Sequence, residues 1–135
     1  MTSIFIDSSF FKAIVDNNDV FNNQALKIYR KLIEEKALLT TTNFILDETF
    51  TVIRVKVSLE RAIGFRETLI EMRNVLKVIR VLAADEAAAW QWFIKDWSKL
   101  SYTDCISFAA MKRLAIDRVA AFDQHFLQAG FKIVN

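Results

Sequence analysis

The sequence predicts an α/β fold of three layers, in which a central parallel sheet of about five strands has helices on both faces. Short apolar runs typical of buried strands alternate along the chain with segments of the 3.6-residue periodicity typical of helices. This alternation indicates a parallel sheet covered on both sides. The composition, with 53% hydrophobic and 25% charged residues over 135 positions, is that of a globular chain. We therefore expect residues 1–135 to form a single domain.

Strands are expected near residues 3–6, 37–41, 77–82, 119–122 and 131–134. Helical periodicity fills the intervals, most clearly from Asn43 to Val57, where Thr42 or Asn43 is a suitable N-cap. The chain has no proline and only two glycines, so the sequence does not closely fix the helix boundaries between about 43 and 75.

Two predicted helices carry apolar residues on more than one side. The 43–57 helix has a second apolar stripe. We expect the following helix to cover it, and a partner protein is the alternative. This stripe consists of Leu46, Phe50, Ile53 and Val57. In a helix over residues 84–98, Trp92 points away from a face predicted to be core and needs other cover. That predicted core face consists of Trp90, Phe93 and Trp97.

Composition excludes several classes of protein. No apolar run approaches the roughly 18–20 residues of a membrane span, and the N-terminus lacks the pattern of a secretion signal. A cytoplasmic location is therefore expected. The only cysteine, Cys105, cannot form an intramolecular disulfide and is expected to be a small buried hydrophobe.

Two acidic residues directly follow predicted strands. Asp7 ends the strand run at 3–6, and Asp123 ends the run at 119–122. Ligands bind at the carboxyl edge of an open parallel sheet, where loops and helix N-termini gather, so both acids are expected there. Each also has a local explanation, as a helix-entry residue for Asp7 and a turn residue for Asp123.

Helix geometry places two further acids. At about 100° per residue, Glu48 lies in the middle of an apolar stripe, while its neighbour Asp47 falls to the side near Arg54 and is expected to be solvated. The stripe consists of Phe44, Ile45, Val52 and Val55. Asp104 begins a second inward stripe with Phe108, Met111 and Ala115. It also fits a capping box opened by Ser101.

Carboxylates buried together repel one another and lose solvation, and a divalent cation is the usual remedy. Oxygen ligands prefer hard cations, so Mg²⁺ or Mn²⁺ is expected, and one cysteine and one histidine give no zinc-type spacing. The histidine, His125, is expected to be an ordinary surface residue. The convergence of acids predicts a metal-dependent nuclease, whose expected ligands and catalytic residues are Asp7, Glu48, Asp104 and Asp123.

The net charge of +2 is low for a nucleic-acid binder, but the cations are unevenly distributed. The central third of the chain is basic and can follow phosphates beside the acids, with a solvated helix face as the alternative. Its cations are Arg54, Lys56, Arg61, Arg66, Arg73, Lys77 and Arg80. Further candidates are Lys12, Lys112 and Arg113.

Four segments resemble the PIN-domain nucleases, and most closely their compact bacterial toxin branch, VapC. They are residues 4–9, residues 43–50, residues 100–105 with the small pair at 109–110, and residues 120–126 followed by 131–134. The last two are the most specific, because an acid at a helix start, then small residues, then a strand ending in Phe-Asp with a further Phe is rare by chance. The resemblance covers almost the whole chain.

The resemblance implies a PIN-like fold in which the four acids hold one or two metal ions directly or through water, supported by Ser8 and Thr103. One departure is Ala121, where the family often has a hydroxyl. The implied activity is hydrolysis of RNA phosphodiesters by metal-activated water. The implied partners are an RNA substrate and a small inhibitory antitoxin, with a homodimer as a further candidate. The alternatives are a non-toxic nuclease in RNA maturation and an inactive binding module.

Overall fold

The computed structural model describes residues 2–135. The strands are β1 (Ser3–Ile6), β2 (Leu38–Thr42), β3 (Leu76–Ile79), β4 (Arg118–Ala120) and β5 (Lys132–Ile133). They form one parallel sheet in the order β3-β2-β1-β4-β5. Each strand overlaps its predicted position, and the predicted parallel α/β sheet is confirmed.

Helices connect these strands within the described part of the chain. They are α1 (Ser8–Val15), α2 (Asn22–Glu34), α3 (Asn43–Lys56), α4 (Leu59–Glu71), α5 (Ala83–Phe93), α6 (Tyr102–Arg113) and α7 (His125–Gln128). Among residues 2–135, no helix is long and apolar enough to cross a membrane.

The order of the strands places α1 to α4 on one face of the sheet and α5 and α6 on the other. From β1 the chain moves outward through β2 to β3 and then returns across the sheet to β4, and such crossovers are right-handed. The neighbours β1 and β4 therefore have connections that lead in opposite directions. In open α/β sheets, ligands bind at the carboxyl ends of two such strands.

Polar caps fix where the helices carrying the predicted acids begin. The hydroxyl of Thr42, at the end of β2, accepts a hydrogen bond from the Ile45 amide at 3.2 Å. Ser101 caps α6 in the same way and accepts from the Asp104 amide at 3.0 Å. These bonds satisfy amides that the first helical turn leaves free. The caps thereby set the direction of the side chains in the first turns of α3 and α6.

Helix α6 is buried on every side over residues 104–111. A helix buried all round needs cover on two sides, and α6 has the sheet on one side and α5 on the other. A bidentate ion pair joins the two helices, with Arg113 Nε 2.8 Å from Asp85 Oδ1 and Arg113 Nη2 2.9 Å from Asp85 Oδ2. This guanidinium lowers the pKa of the buried Asp85 carboxyl. Arg113 is therefore engaged within the fold and not free to contact phosphate.

The expected core face near α5 is wrong for Trp90 and Phe93, whereas Trp97 packs against the core as expected. Trp90 is 52% exposed and Phe93 is 39% exposed, whereas Trp92 is half-buried and packs edge-on against Trp97 at 6.1 Å. The inward face runs through Ala89, a small residue without exposed surface. The helix also ends at Phe93 rather than near residue 98, so the helical phase does not extend to Trp97. Aromatic residues lie on both sides of this helix, so aromatic size alone did not identify the side on which Ala89 and Trp92 pack against the core.

The second apolar stripe of α3 is covered by α4, as favoured from the sequence. Phe50 packs edge-on against Phe65 of α4 at 5.1 Å, and Phe65 contacts Phe11 of α1 at 5.3 Å. Leu46 and Val57 are half-buried against the same core. These aromatic contacts hold α1, α3 and α4 together on one face of the sheet.

Candidate active site

The predicted acids come together at the carboxyl edge of the sheet, although they lie on four separate segments. Asp7 directly follows β1, Asp123 lies shortly after β4, Glu48 lies in α3 and Asp104 in α6. Asp7 is close enough to Glu48 and Asp123 for their charges to raise its pKa, and Asp104 is close enough to the other three. We call this group the acidic cluster.

Asp7 is 2% exposed and combines two roles. Its Oδ2 caps α1, accepting from the Ser9 amide at 3.1 Å and from the Ser9 hydroxyl at 2.6 Å. The helix-entry explanation therefore holds, but it uses only one carboxylate oxygen. Oδ1 is buried without a hydrogen-bond partner. Ser9 also accepts from the Phe122 amide at 3.0 Å, which ties the end of β1 to the segment that carries Asp123.

Glu48 reaches the cluster from the side of α3. The Ser8 hydroxyl donates to Glu48 Oε2 at 2.8 Å, and the Glu48 side chain is half-buried, whereas Asp47 is exposed. The predicted stripe around Glu48 is partly wrong, because Val55 is 75% exposed. The fully buried positions of α3 are Ile45, Thr49 and Ile53. Glu48 thus lies at the border of the inward face, where α3 meets the open edge of the sheet.

Asp104, Asp123 and His125 form the tightest part of the site. One ligand atom from each lies within 4.8 Å of the others. The amide of Asp104 is capped by Ser101, while its carboxyl group is turned toward Asp123. Asp123 Oδ1 accepts from the His125 amide at 2.9 Å, so the turn explanation holds for this acid as well.

Burial and mutual repulsion perturb two of the acids. Burial raises the pKa of Asp7 to about 6, and the charges of Glu48 and Asp123 add to the rise while the bonds from Ser9 oppose it. Burial raises the pKa of Asp104 to about 9, with further contributions from a hydrogen bond to Asp123 and from the charges around it. Ionising all of the acids together is therefore unfavourable in the metal-free fold.

The residues present fit a divalent cation. The donor set is mainly carboxylate, one buried oxygen of Asp7 has no partner, and burial together with the neighbouring acids raises the pKa values of Asp7 and Asp104. Hard divalent cations bind such oxygen donors. Positive charge between the carboxylates would reverse the shifts that burial causes.

Two contributions to this site were not predicted from the sequence. Ser9 bridges Asp7 and the end of β4, and only its place beside Ser8 after the first acid signals that role. His125 was expected to be an ordinary surface residue, but it is 18% exposed and lies against Asp104 and Asp123.

Two further residues near the site, Thr103 and Cys105, were also considered from the sequence. Thr103 is half-buried in the first turn of α6, and its supporting role stays a prediction. Cys105 is a buried hydrophobe as expected, and burial raises the pKa of its thiol to about 11. A thiol of that pKa is a poor nucleophile at neutral pH.

Metal-free protein should lose stability as the pH rises. The pKa values of Asp7 and Asp104 lie above the ordinary 3.8, so the folded state holds more protons than the unfolded chain. The loss of folding free energy caused by these two carboxyl groups is therefore smallest below about pH 4. It grows as the pH rises through about 6 and towards 9. Thermal unfolding in chelator between pH 5 and 9 measures this decline.

The variant Asp104→Asn is the control for that measurement. It removes the group with the larger shift, so its melting temperature should depend less on pH than that of the wild type. A wild-type melting temperature that rises with pH, or an equal decline in the variant, would contradict this account of the cluster.

Comparison with known proteins agrees with the fold. A family model of the PIN domain matches residues 4–132. The chain is 30% identical over 129 residues to a protein of two Mycobacterium tuberculosis strains named "23S rRNA-specific endonuclease VapC20", with 95% of each chain covered.

Solved structures give the same result. The crystal structure of M. tuberculosis VapC20, described as a sarcin-ricin loop cleaving toxin, matches with a TM-score of 0.81 and 31% identity over 95% of each chain. FitAcB from Neisseria gonorrhoeae matches with a TM-score of 0.70 and 15% identity over 98% of this chain and 96% of its own. DNA-bound VapBC from Salmonella typhimurium matches with a TM-score of 0.67 and 12% identity over 99% and 98%, respectively. The last two likenesses show the fold alone. The resemblance seen in the sequence is confirmed, and the chain belongs to the PIN-domain family, with a VapC-type endonuclease among its relatives.

Proposed function

We propose that this protein is a divalent-metal-dependent endoribonuclease and the toxin of a VapBC-like pair. The observation that carries the proposal is the acidic cluster, in which four carboxylates from separate segments meet at the switch point of the sheet and Asp7 Oδ1 is left unpartnered. Membership of the PIN family and the relative named as an rRNA endonuclease support the choice of RNA. The unit proposed to act is the single PIN-like domain of residues 1–135.

In the proposed mechanism, the chain's own residues hold and orient the reacting groups. Asp7, Glu48, Asp104 and Asp123 are the metal ligands, directly or through water. Ser8 fixes the Glu48 carboxylate and Ser9 fixes that of Asp7. A bound divalent cation supplies an activated water and offsets the charge that develops on the phosphate. Attack by water needs no 2′-hydroxyl, so the expected products carry a 5′-phosphate and a 3′-hydroxyl.

We expect cleavage to require Mg²⁺ or Mn²⁺. Activity should disappear in excess chelator and return with Mn²⁺ but not with Ca²⁺, whose larger and looser coordination places the water poorly. The measurement is cleavage of total RNA by purified protein, followed by analysis of the new ends. Robust cleavage in chelator, with products that end in cyclic phosphate, would instead indicate metal-free chemistry that uses the 2′-hydroxyl.

Cations around the acidic cluster suit a phosphate backbone. Arg80 directly follows β3 at the same carboxyl edge, and Lys99 follows Ser98, whose carbonyl contacts His125; both cations are exposed. Lys12 is less suited, because its ammonium pairs with Asp16 at 3.1 Å and with Asp19 at 2.8 Å. Lys112 lies over the ring of Phe131 at 5.5 Å. The exposed cations of the central third remain the proposed phosphate contacts.

The proposed protein partner is a small antitoxin. A groove of about 320 Å³ between α3 and α4 exposes apolar side chains beside cations, a surface that suits an amphipathic segment with acidic residues. Its lining includes Phe50, Leu59, Ile63, Arg54 and Arg66.

A homodimer stays a prediction, which sedimentation velocity tests. Action on cellular RNA implies a cytoplasmic location.

Two observations separate the toxin from a nuclease of RNA maturation. A toxin should arrest growth when expressed alone, and co-expression of a protein encoded by an adjacent small gene should relieve the arrest. Mapping of cleavage ends on total RNA after brief expression would identify the substrate. Expression without arrest, combined with cleavage confined to precursor RNAs, would favour the maturation role. Wild-type protein that binds metal and cleaves no RNA would favour the binding module.

A further inference from the structure

The only histidine of the chain is held between the acidic cluster and the backbone. Its Nδ1 atom lies 2.9 Å from Asp123 Oδ1 and 3.4 Å from Asp104 Oδ2. On the other side of the ring, Nε2 lies 2.8 Å from the carbonyl oxygen of Ser98. The ring is thus held through Nε2, and Nδ1 is the nitrogen that lies beside the acids.

The Ser98 carbonyl determines which ring nitrogen carries the hydrogen. A carbonyl oxygen only accepts hydrogen bonds, so Nε2 is the donor in that contact. In the neutral ring, Nδ1 then directs its lone pair at two carboxylates. A backbone carbonyl that accepts from one ring nitrogen while the other nitrogen binds a metal is the usual arrangement of a metal-bound histidine.

A proton on Nδ1 explains the geometry less well than a metal does. Although Nδ1 lies 2.9 Å from Asp123 Oδ1, it is buried and makes no hydrogen bond. Asp7 Oδ1 is also buried without a partner. Of these two unpartnered atoms, Nδ1 belongs to a group of three potential ligand atoms, with one each from Asp104 and Asp123, that lie within 4.8 Å of one another.

We propose that His125 Nδ1 is a direct ligand of the bound cation beside Asp104 and Asp123, and that it makes the site favour Mn²⁺ and other transition ions over Mg²⁺. Imidazole nitrogen suits transition ions, whereas Mg²⁺ prefers oxygen ligands and retains its water. The inference rests on the proposed function. It replaces the oxygen-only site expected from the sequence with a mixed one.

Pulsed electron paramagnetic resonance of the Mn²⁺ complex tests direct ligation without relying on activity. Because His125 is the only histidine, any histidine nitrogen coupled to Mn²⁺ in untagged protein belongs to it. We expect the coupling of a directly bound imidazole, changed by ¹⁵N-histidine labelling and absent in His125→Gln. A wild-type complex without histidine coupling would overturn the proposal, whatever the stability of the variant.

Calorimetric titration tests the selectivity. In His125→Gln, the affinity for Mn²⁺ should fall about tenfold or more, while the affinity for Mg²⁺ should change by less than about threefold. The matched control is Gln124→Ala, which alters the exposed neighbouring residue and should change neither affinity. Equal losses for both ions would overturn the selectivity.

Different results would refute the proposed function and the role of His125. Wild-type protein that binds no Mn²⁺ and cleaves no RNA would refute the proposed function itself. Wild-type protein that binds Mn²⁺ and cleaves RNA without histidine coupling would refute only the role of His125.

Discussion

The variants Asp7→Asn and Asp104→Asn are expected to abolish RNA cleavage and growth inhibition while the fold is retained or becomes more stable. Each substitution removes a proposed metal ligand. Each also removes a carboxyl group whose pKa is raised by burial. The ionised form of such a group destabilises the metal-free fold, and the amide carries no charge. Cleavage of total RNA and thermal unfolding in chelator at pH 8 should show lost activity with a melting temperature that is unchanged or higher by about 3 °C or more.

Asp85→Asn is the matched control for these variants. Asp85 is as deeply buried as Asp7, but it pairs with Arg113, which lowers the pKa of the carboxyl. Its replacement should therefore lower the melting temperature and leave the cluster's chemistry intact. Near wild-type cleavage by both cluster variants would refute the assignment of the metal site.

The second large effect separates Glu48 from its neighbour Asp47. Adjacent side chains on a helix point about 100° apart, so only one of them can face the cluster. Glu48 accepts the bond from Ser8, and its charge raises the pKa values of other acids in the cluster, whereas Asp47 is exposed. Glu48→Gln should therefore reduce the cleavage rate by several orders of magnitude, and Asp47→Asn should change it little.

The pair is its own control, because both substitutions neutralise one negative charge on the same turn of α3. The cleavage rate and the affinity for Mn²⁺ should fall together in Glu48→Gln. The opposite ranking, with an inactive Asp47→Asn and an active Glu48→Gln, would show that α3 presents Asp47 rather than Glu48 to the cluster.

The strands and the position of the acids could be predicted because they depend on local pattern. An apolar run that ends in an acid marks both β1 with Asp7 and β4 with the later Asp123. In a parallel sheet the carboxyl ends of strands share one edge, so position along each strand suffices to bring the acids together. Thr42 could be predicted as a cap because a hydroxyl before a helix has a specific physical role.

The faces of the helices were less predictable, since burial depends on what packs against them. Trp90 carries a strong hydrophobic signal and is half exposed, whereas the inward face of α5 is marked by the small Ala89. Val55 has the right helical phase but is exposed near the end of α3. Periodicity identifies a helix more reliably than it identifies the side that neighbouring elements cover.

The supporting contacts of the site were missed because they join distant parts of the chain. The bond between Phe122 and Ser9 spans 113 positions, and the contact between His125 and Ser98 spans 27. No local pattern reports either one. A histidine beside an acid is unremarkable in sequence, and only the Ser98 carbonyl turns its Nδ1 toward the cluster.

A ribonuclease is synthesised on the ribosome, in contact with messenger and ribosomal RNA. Under the proposed function, the ligands are spread from Asp7 at the first strand to Asp104 and Asp123 in the last third of the chain. The last of them reaches the cluster only when β4 has joined the sheet beside β1. A chain that ends before Asp123 therefore lacks the complete set of ligands. Because the ligands are spread from Asp7 to Asp123, we expect such a toxin to have no nuclease activity until most of the chain has been made and β4 has folded beside β1.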